Sequence, residues 1–165
     1  MIQSRTLFLD HARRSVIFLV VAVVVIVCDQ LTKAAITTAL APGASIPPDA
    51  PIRLTHVTNT GAAFGLFTGQ SGFLLLATVV GVGAILLYFA FPPANSRLLD
   101  VALGMQFGGA IGNLIDRLRQ GYVTDFIDLR VWPVFNLADS AIVVGVAVLA
   151  GFLMFSKSSE PAEER

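Results

Sequence analysis

The chain has 165 residues, 55% of them hydrophobic and only 13% charged, with a formal net charge of zero. Soluble domains carry about a quarter charged residues, so the water-facing surface here must be small, as the mean hydropathy of +0.78 also indicates. Zero net charge gives no reason to expect a nucleic-acid partner, the single Cys28 excludes an intrachain disulfide or a cysteine-rich metal site, and His11 and His56 show no ligand spacing.

Crossing a bilayer takes about 20 mostly apolar residues, and four segments qualify: roughly 15–38, 72–91, 98–118 and 137–155. The first has a rival reading, because Arg13 and Arg14, an apolar run and Ala39-Leu40-Ala41 resemble a secretory signal peptide. Asp29 and Lys33 lie between the run and that cleavage site, pushing it about three turns beyond the run, too far for the usual layout. The segment is therefore expected to be a retained helix. In the connection 39–71, Ile52 to Thr58 partly alternates apolar and polar residues, as a half-exposed strand does. Pro92-Pro93-Ala94-Asn95-Ser96 makes a breaker-rich hairpin between spans two and three. In the connection 119–136, Tyr122 to Val131 is rich in β-branched and aromatic residues, a second strand candidate. The polar tail 156–165 is expected to be disordered. The expected architecture is all-α and transmembrane: one integral membrane domain, a four-helix bundle with a small extracytoplasmic β-rich segment. Arg13 and Arg14 flank the first span, which sets orientation in most chains, so both termini are expected in the cytoplasm and both long connections outside.

Up-and-down topology gathers the polar residues. Asp29 and Lys33 late in span one, Asn59 and Gly61 before span two, Asn113, Asp116 and Arg117 late in span three, Asp125 after it, and Asn136 and Asp139 at the start of span four all fall at one membrane face. Asp100 is the exception. A charge in the bilayer centre costs roughly 2.5–3.5 kcal/mol on insertion scales and so faces a bundle interior or wet cavity. Each residue also has a structural reading. Asp29 and Lys33 are spaced to neutralise one another on one helix face. Asp116 suits a partner for nearby cations, and Arg117 either snorkels to headgroups or holds a substrate carbonyl or phosphate. Asn136 with Asp139 fits a helix N-cap and an acidic third residue. Asp125 and Asp128 read alone as solvated loop acids, Gly104, Gly108 and Gly112 as a packing stripe, and Cys28 as a small buried apolar residue.

Read in order, the chain carries Asp29-Gln-Leu-Thr-Lys33, Asn59-Thr-Gly-Ala-Ala-Phe-Gly65, Gly108-Gly-Ala-Ile-Gly-Asn-Leu-Ile-Asp-Arg117, Val123-Thr-Asp-Phe-Ile-Asp128 and Phe135-Asn-Leu-Ala-Asp-Ser140. This series resembles the lipoprotein signal peptidase (signal peptidase II) family of bacterial inner-membrane aspartyl peptidases. The resemblance implies that Asp125 and Asp139 are the catalytic pair. It makes Asn59, Gly61, Asn113, Arg117 and Asn136 site-shaping or substrate-binding residues, and Asp29, Lys33 and Asp116 structural support. It implies a prolipoprotein substrate with a diacylglyceryl-cysteine, cut just before that cysteine, at the outer face of the membrane. Lipids are the other expected partners, with no metal or other cofactor and a monomeric enzyme. Two carboxylates suffice for such chemistry, because a close pair shares one proton and supplies both a base and an acid. A transporter using the same carboxylates is the alternative, but it calls for polar groups nearer the midplane. A purely structural membrane subunit is a third reading.

Overall fold

The computed structural model describes residues 2–61, 71–92 and 94–156. Its elements are α1 (Ile2–Ala39), β1 (Ser45–Ile46), β2 (Arg53–Asn59), α2 (Ser71–Ala90), α3 (Arg97–Gln120), β3 (Val123–Asp128) and α4 (Leu137–Ser156). All four helices are long and apolar enough to cross a membrane. In lipid no water is available to satisfy backbone groups, so segments as rich in β-branched residues as Val20–Val27 still form helix. The expected spans are found, and α1 continues N-terminally to Ile2. The expected disordered tail lies outside the described residues from Lys157 onward, as do Ala62–Gly65 of the second motif.

Helix α3 is the hub, packing on α1, α2 and α4. Its small residues permit this. A Cβ on Gly108 would lie 2.7 Å from the backbone oxygen of Ala22 in α1, and one on Gly112 would lie 2.7 Å from the Asp29 carboxylate. The glycine stripe is thus a packing surface, with its last member making room for an ion rather than a helix backbone. Gly121, at φ 80°, ends α3 by returning its N–H to Arg117 O at 3.1 Å, the left-handed cap that suits glycine.

Both strand candidates form, and with β1 they make an antiparallel sheet in the order β1-β2-β3 at one end of the bundle. The β2–β3 register slips between Leu54 and Val57, and the irregularity turns consecutive Thr55 and His56 both inward. Thr55 Oγ1 then donates to Asp128 Oδ2 at 2.8 Å, and His56 Nδ1 lies 2.8 Å from Leu40 O, closing the end of α1.

Asp128 is not the solvated acid expected. It is buried and receives Arg53 Nε at 2.6 Å, Thr55 Oγ1, and the backbone N–H of Arg130 at 2.8 Å. The Arg130 N–H and then Arg53 hold its carboxyl below the usual carboxylate range. Cys28 is also corrected: it is exposed on the outside of α1, because apolar sequence on a lipid-facing helix looks the same as apolar sequence in a core. At the opposite end of the bundle, Arg14 joins three elements. It donates to Asp100 Oδ1 at 3.1 Å, Asn95 Oδ1 at 3.2 Å and Phe89 O at 3.2 Å, while Phe18 stacks on Phe89 with centroids 4.3 Å apart. Asp100, the outlier of the polar pattern, is therefore a structural ion partner.

Candidate active site

The sheet end gathers the polar residues in two tiers. The deeper tier is ionic and joins α1 to α3. Lys33 Nζ lies 2.8 Å from Asp29 Oδ2, 2.9 Å from Asp116 Oδ2 and 3.0 Å from Asn113 Oδ1. Lys33, Asp29 and Asp116 are all buried, and a buried ion is tolerable only when paired and hydrogen-bonded. Here the ammonium has three acceptors for its three protons. The two carboxylates also organise backbone: Asp29 Oδ1 accepts the N–H of Ala138 in the first turn of α4 at 3.0 Å, and Asp116 Oδ2 accepts the N–H of Thr124 in β3 at 3.2 Å. Gln30, which the motif reading passed over, donates to Asp116 Oδ1 at 3.0 Å and Gly112 O at 3.2 Å. Its position one residue after Asp29 was the available signal.

The upper tier contains Asp125 and Asp139. Asn136 touches both: its Nδ2 donates to Asp125 Oδ1 at 2.7 Å, and its backbone N–H lies 3.4 Å from Asp139 Oδ2. The reverse bond, Asp139 N–H to Asn136 Oδ1 at 2.8 Å, completes a reciprocal cap on α4. The capping reading and the site reading of these two residues therefore coexist. Asn113 Nδ2 donates to Asp139 Oδ1 at 2.7 Å, and Asn59 Nδ2 donates to Asp125 Oδ2 at 2.8 Å. Gly61 contributes its N–H to Asn59 Oδ1 at 2.9 Å. Every carboxylate oxygen of the pair thus receives one N–H from the protein.

Asp125 is 1% exposed. Burial pushes its carboxyl up to about 7, reinforced by the charge of Asp139 and opposed by the Asn59 and Asn136 hydrogen bonds. Arg117 is half-buried nearby, with Asp139, Asp125 and Asp116 close enough to act on its charge. Among the described residues it makes no ion pair within 4.0 Å, so its guanidinium donors remain available.

Asp125, Asp139, Asn59, Gly61, Asn113 and Arg117 all line one groove of about 870 Å³. From this polar mouth the groove runs between α2, α3 and α4 along Leu74, Ala77, Ile85, Ile142 and Val143, an almost wholly apolar wall. Asn136 is fully buried behind it. A pair of wired carboxylates and a free cation at the head of an apolar trough suits an amphiphile whose polar part reacts at the mouth. Among the described residues no three His, Cys, Asp or Glu side chains cluster as metal ligands would.

Comparison with known proteins agrees with this architecture. Residues 21–155 match the family model described as signal peptidase (SPase) II. The lipoprotein signal peptidase of Pelotomaculum thermopropionicum is 45% identical over 151 residues, spanning 90% of this chain and 98% of that protein. That of Moorella thermoacetica is 45% identical over 147 residues, spanning 88% and 98%. A bacterial membrane enzyme solved by the in meso method at 2.3 Å superposes with a TM-score of 0.79 at 32% identity, covering 90% of this chain and 94% of that one. A second, solved at 1.9 Å, superposes with a TM-score of 0.74 at 34% identity, covering 82% and 91%. The chain belongs to the signal peptidase II family and is a multi-pass membrane peptidase.

Proposed function

We propose that the protein is an aspartic endopeptidase that removes signal peptides from diacylglyceryl-modified prolipoproteins, cutting before the lipidated cysteine, with Asp125 and Asp139 as its catalytic pair. The observation that carries this reading is the sharing of Asn136 by two carboxylates at the head of one apolar groove. Two carboxylates this closely linked do not both ionise easily, so the pair holds one proton and titrates as a unit. One member draws a proton from water as the water attacks the scissile carbonyl, and the other protonates the carbonyl oxygen. Arg117 and the free faces of the site amides orient the peptide and stabilise the developing oxyanion. The protein's own N–H groups already satisfy one lone pair on each carboxylate oxygen, which disfavours a cation between them.

Substrate geometry supports the same reading. Acyl chains hold a lipidated cysteine at the hydrocarbon boundary, and the groove offers them Leu74, Ala77 and Ile142 below a polar mouth. With Arg13 and Arg14 at the start of the apolar stretch of α1, on the side that is usually cytoplasmic, the termini lie in the cytoplasm and the site faces outward across the bacterial inner membrane. In this reading the chain acts as a monomer. The test is cleavage of a diacylglyceryl-modified prolipoprotein in detergent by wild type, Asp125→Asn and Asp139→Asn, with and without a chelator. Both variants are expected to lose cleavage and the chelator to have no effect; full activity in either variant, or loss with chelator, would refute the metal-free pair.

A further inference from the structure

The amides that wire the two carboxylates are not free to turn. Asn59 accepts the Gly61 N–H, Asn136 accepts the Asp139 N–H, and Asn113 accepts Lys33 Nζ, each on its side-chain oxygen. Backbone N–H groups and ammonium can only donate. Each amide must therefore present its oxygen to that anchor and its NH2 to a carboxylate. Amide orientation, usually an assignment, is here forced three times over.

The anchors differ in one respect. Two are neutral backbone N–H groups, while the anchor of Asn113 is a buried ammonium whose three protons are all used, with Asn136 Nδ2 a second, neutral donor to the same oxygen at 3.1 Å. Asn113 in turn donates to Asp139 at 2.7 Å, so Asp139 alone has a full positive charge one amide away. Asp139 also stands in the first turn of α4, where the helix dipole favours an anion. Asp125 sits on a strand, 1% exposed, with neutral amides on both oxygens. Asp139 is the more exposed of the two on the shared groove, where a base must meet water.

From this asymmetry we infer that the shared proton of the pair resides on Asp125, that Asp139 is the unprotonated base, and that Lys33, acting through Asn113, is the positioning residue that fixes this division. The inference rests on the aspartic-pair reading above. Asp139 takes one proton of the attacking water as the water oxygen bonds to the carbonyl carbon, and Asp125 gives its proton to the carbonyl oxygen. In the resulting gem-diol the C–N bond then breaks. Asp139 returns its proton to the leaving nitrogen, and one gem-diol hydroxyl returns a proton to Asp125. Peptide and water become acid and amine, and both carboxyls regain their starting states.

The charged groups acting on Asp139 are Lys33 and Asp29 on α1, Arg117 on α3 and Asp125 on β3, with Asp116 on α3 behind Lys33, while α2 carries none. Lys33, Asp29 and Asp116 together sum to one negative charge. Net charge in this buried trio therefore does not favour an ionised Asp139, and Arg117 acts on Asp139 and Asp125 alike; what sets Asp139 apart is the donor chain from Lys33 through Asn113. Lys33→Met with Asp29→Asn keeps that sum and removes the donor, which separates orientation from charge.

Two measurements on the full chain in detergent test the inference. At pH 6 the infrared band of a protonated carboxyl is expected to be lost in Asp125→Asn and kept in Asp139→Asn; the opposite result overturns the proton assignment. Because both substitutions are conservative, this comparison stands even if the Lys33 variants fold poorly. In the Lys33→Met/Asp29→Asn protein, kcat is expected to fall roughly 10–100-fold with KM within about twofold, and the acidic limb of the rate profile to move up by about one pH unit. Lys33→Arg is expected to restore the limb. An unmoved profile with only a lower thermal midpoint reduces Lys33 to a structural ion and overturns its part. Retained cleavage in Asp125→Asn or Asp139→Asn would instead refute the aspartic-pair reading, so the two failures are distinguishable.

Discussion

Asp125→Asn should abolish cleavage and yet make the protein relatively more stable as pH rises. The carboxyl of Asp125 is pushed from its ordinary 3.8 up to about 7 by burial. Between those values the folded protein holds a proton that the unfolded chain has released. Stability therefore falls as pH rises through that window. The shift is about 3 units, and at about 1.4 kcal/mol per unit it sets an upper bound near 4 kcal/mol. Asparagine does not titrate there and escapes the loss. It does bring an NH2 toward either Asn59 or Asn136, both of which already donate to this position. That clash costs about 1–3 kcal/mol but does not vary with pH. The decisive quantity is the difference between variant and wild type as a function of pH, measured by thermal or SDS unfolding in detergent from pH 4 to 8. It should move in the variant's favour by about 2–4 kcal/mol across the range, allowing for coupling to Asp139. Parallel curves would show that Asp125 ionises normally and would remove the electrostatic basis of the pair.

Asn59→Leu removes a donor that favours the charged form of Asp125, so the alkaline limb of the cleavage profile should move to higher pH while the maximal rate falls about tenfold; a limb that stays or moves down contradicts the wiring. Asp128→Asn weakens the Arg53 and Arg130 contacts and should cost about 1–2 kcal/mol at neutral pH. Because the folded carboxyl titrates below its ordinary value, that stability is present above pH 4 and lost as pH falls through the folded value, so denaturation curves of variant and wild type should converge in acid. Gly112→Ala sets a methyl 2.7 Å from Asp29 Oδ2 and should lower stability by about 1–3 kcal/mol, read as a drop in thermal midpoint that Gly151→Ala, whose added Cβ meets nothing within 4 Å, does not reproduce.

Spans and strands were legible because their signals are local: apolar runs of bilayer length, and β-branched segments next to turns. The convergence of polar residues was legible too, since up-and-down connectivity alone brings those helix ends together. What could not be read was the direction of each face. Lipid and protein core are equally apolar, so sequence could not tell that Cys28 points outward while Asp29, one residue on, is fully buried. Nor could it tell that Asp29 caps α4 through Ala138, 109 positions away. Asp128 looked like a loop acid because its partners, Arg53 and Thr55, lie on a strand whose register slips by an irregularity that no local motif announces.

Helix α2 packs along α3, and its far end is tied to α1 by Arg14 and Phe18, which meet Phe89. The trough runs between α2, α3 and α4, three helices long and apolar enough to cross a membrane, so its wall lies at bilayer depth rather than in water. In the proposed reading, substrate arrives by lateral diffusion within the sheet of lipid rather than from solution. Turnover should accordingly follow the surface density of prolipoprotein: diluting substrate with added lipid at fixed bulk concentration slows the enzyme, and stirring or viscosity of the water phase leaves it unchanged.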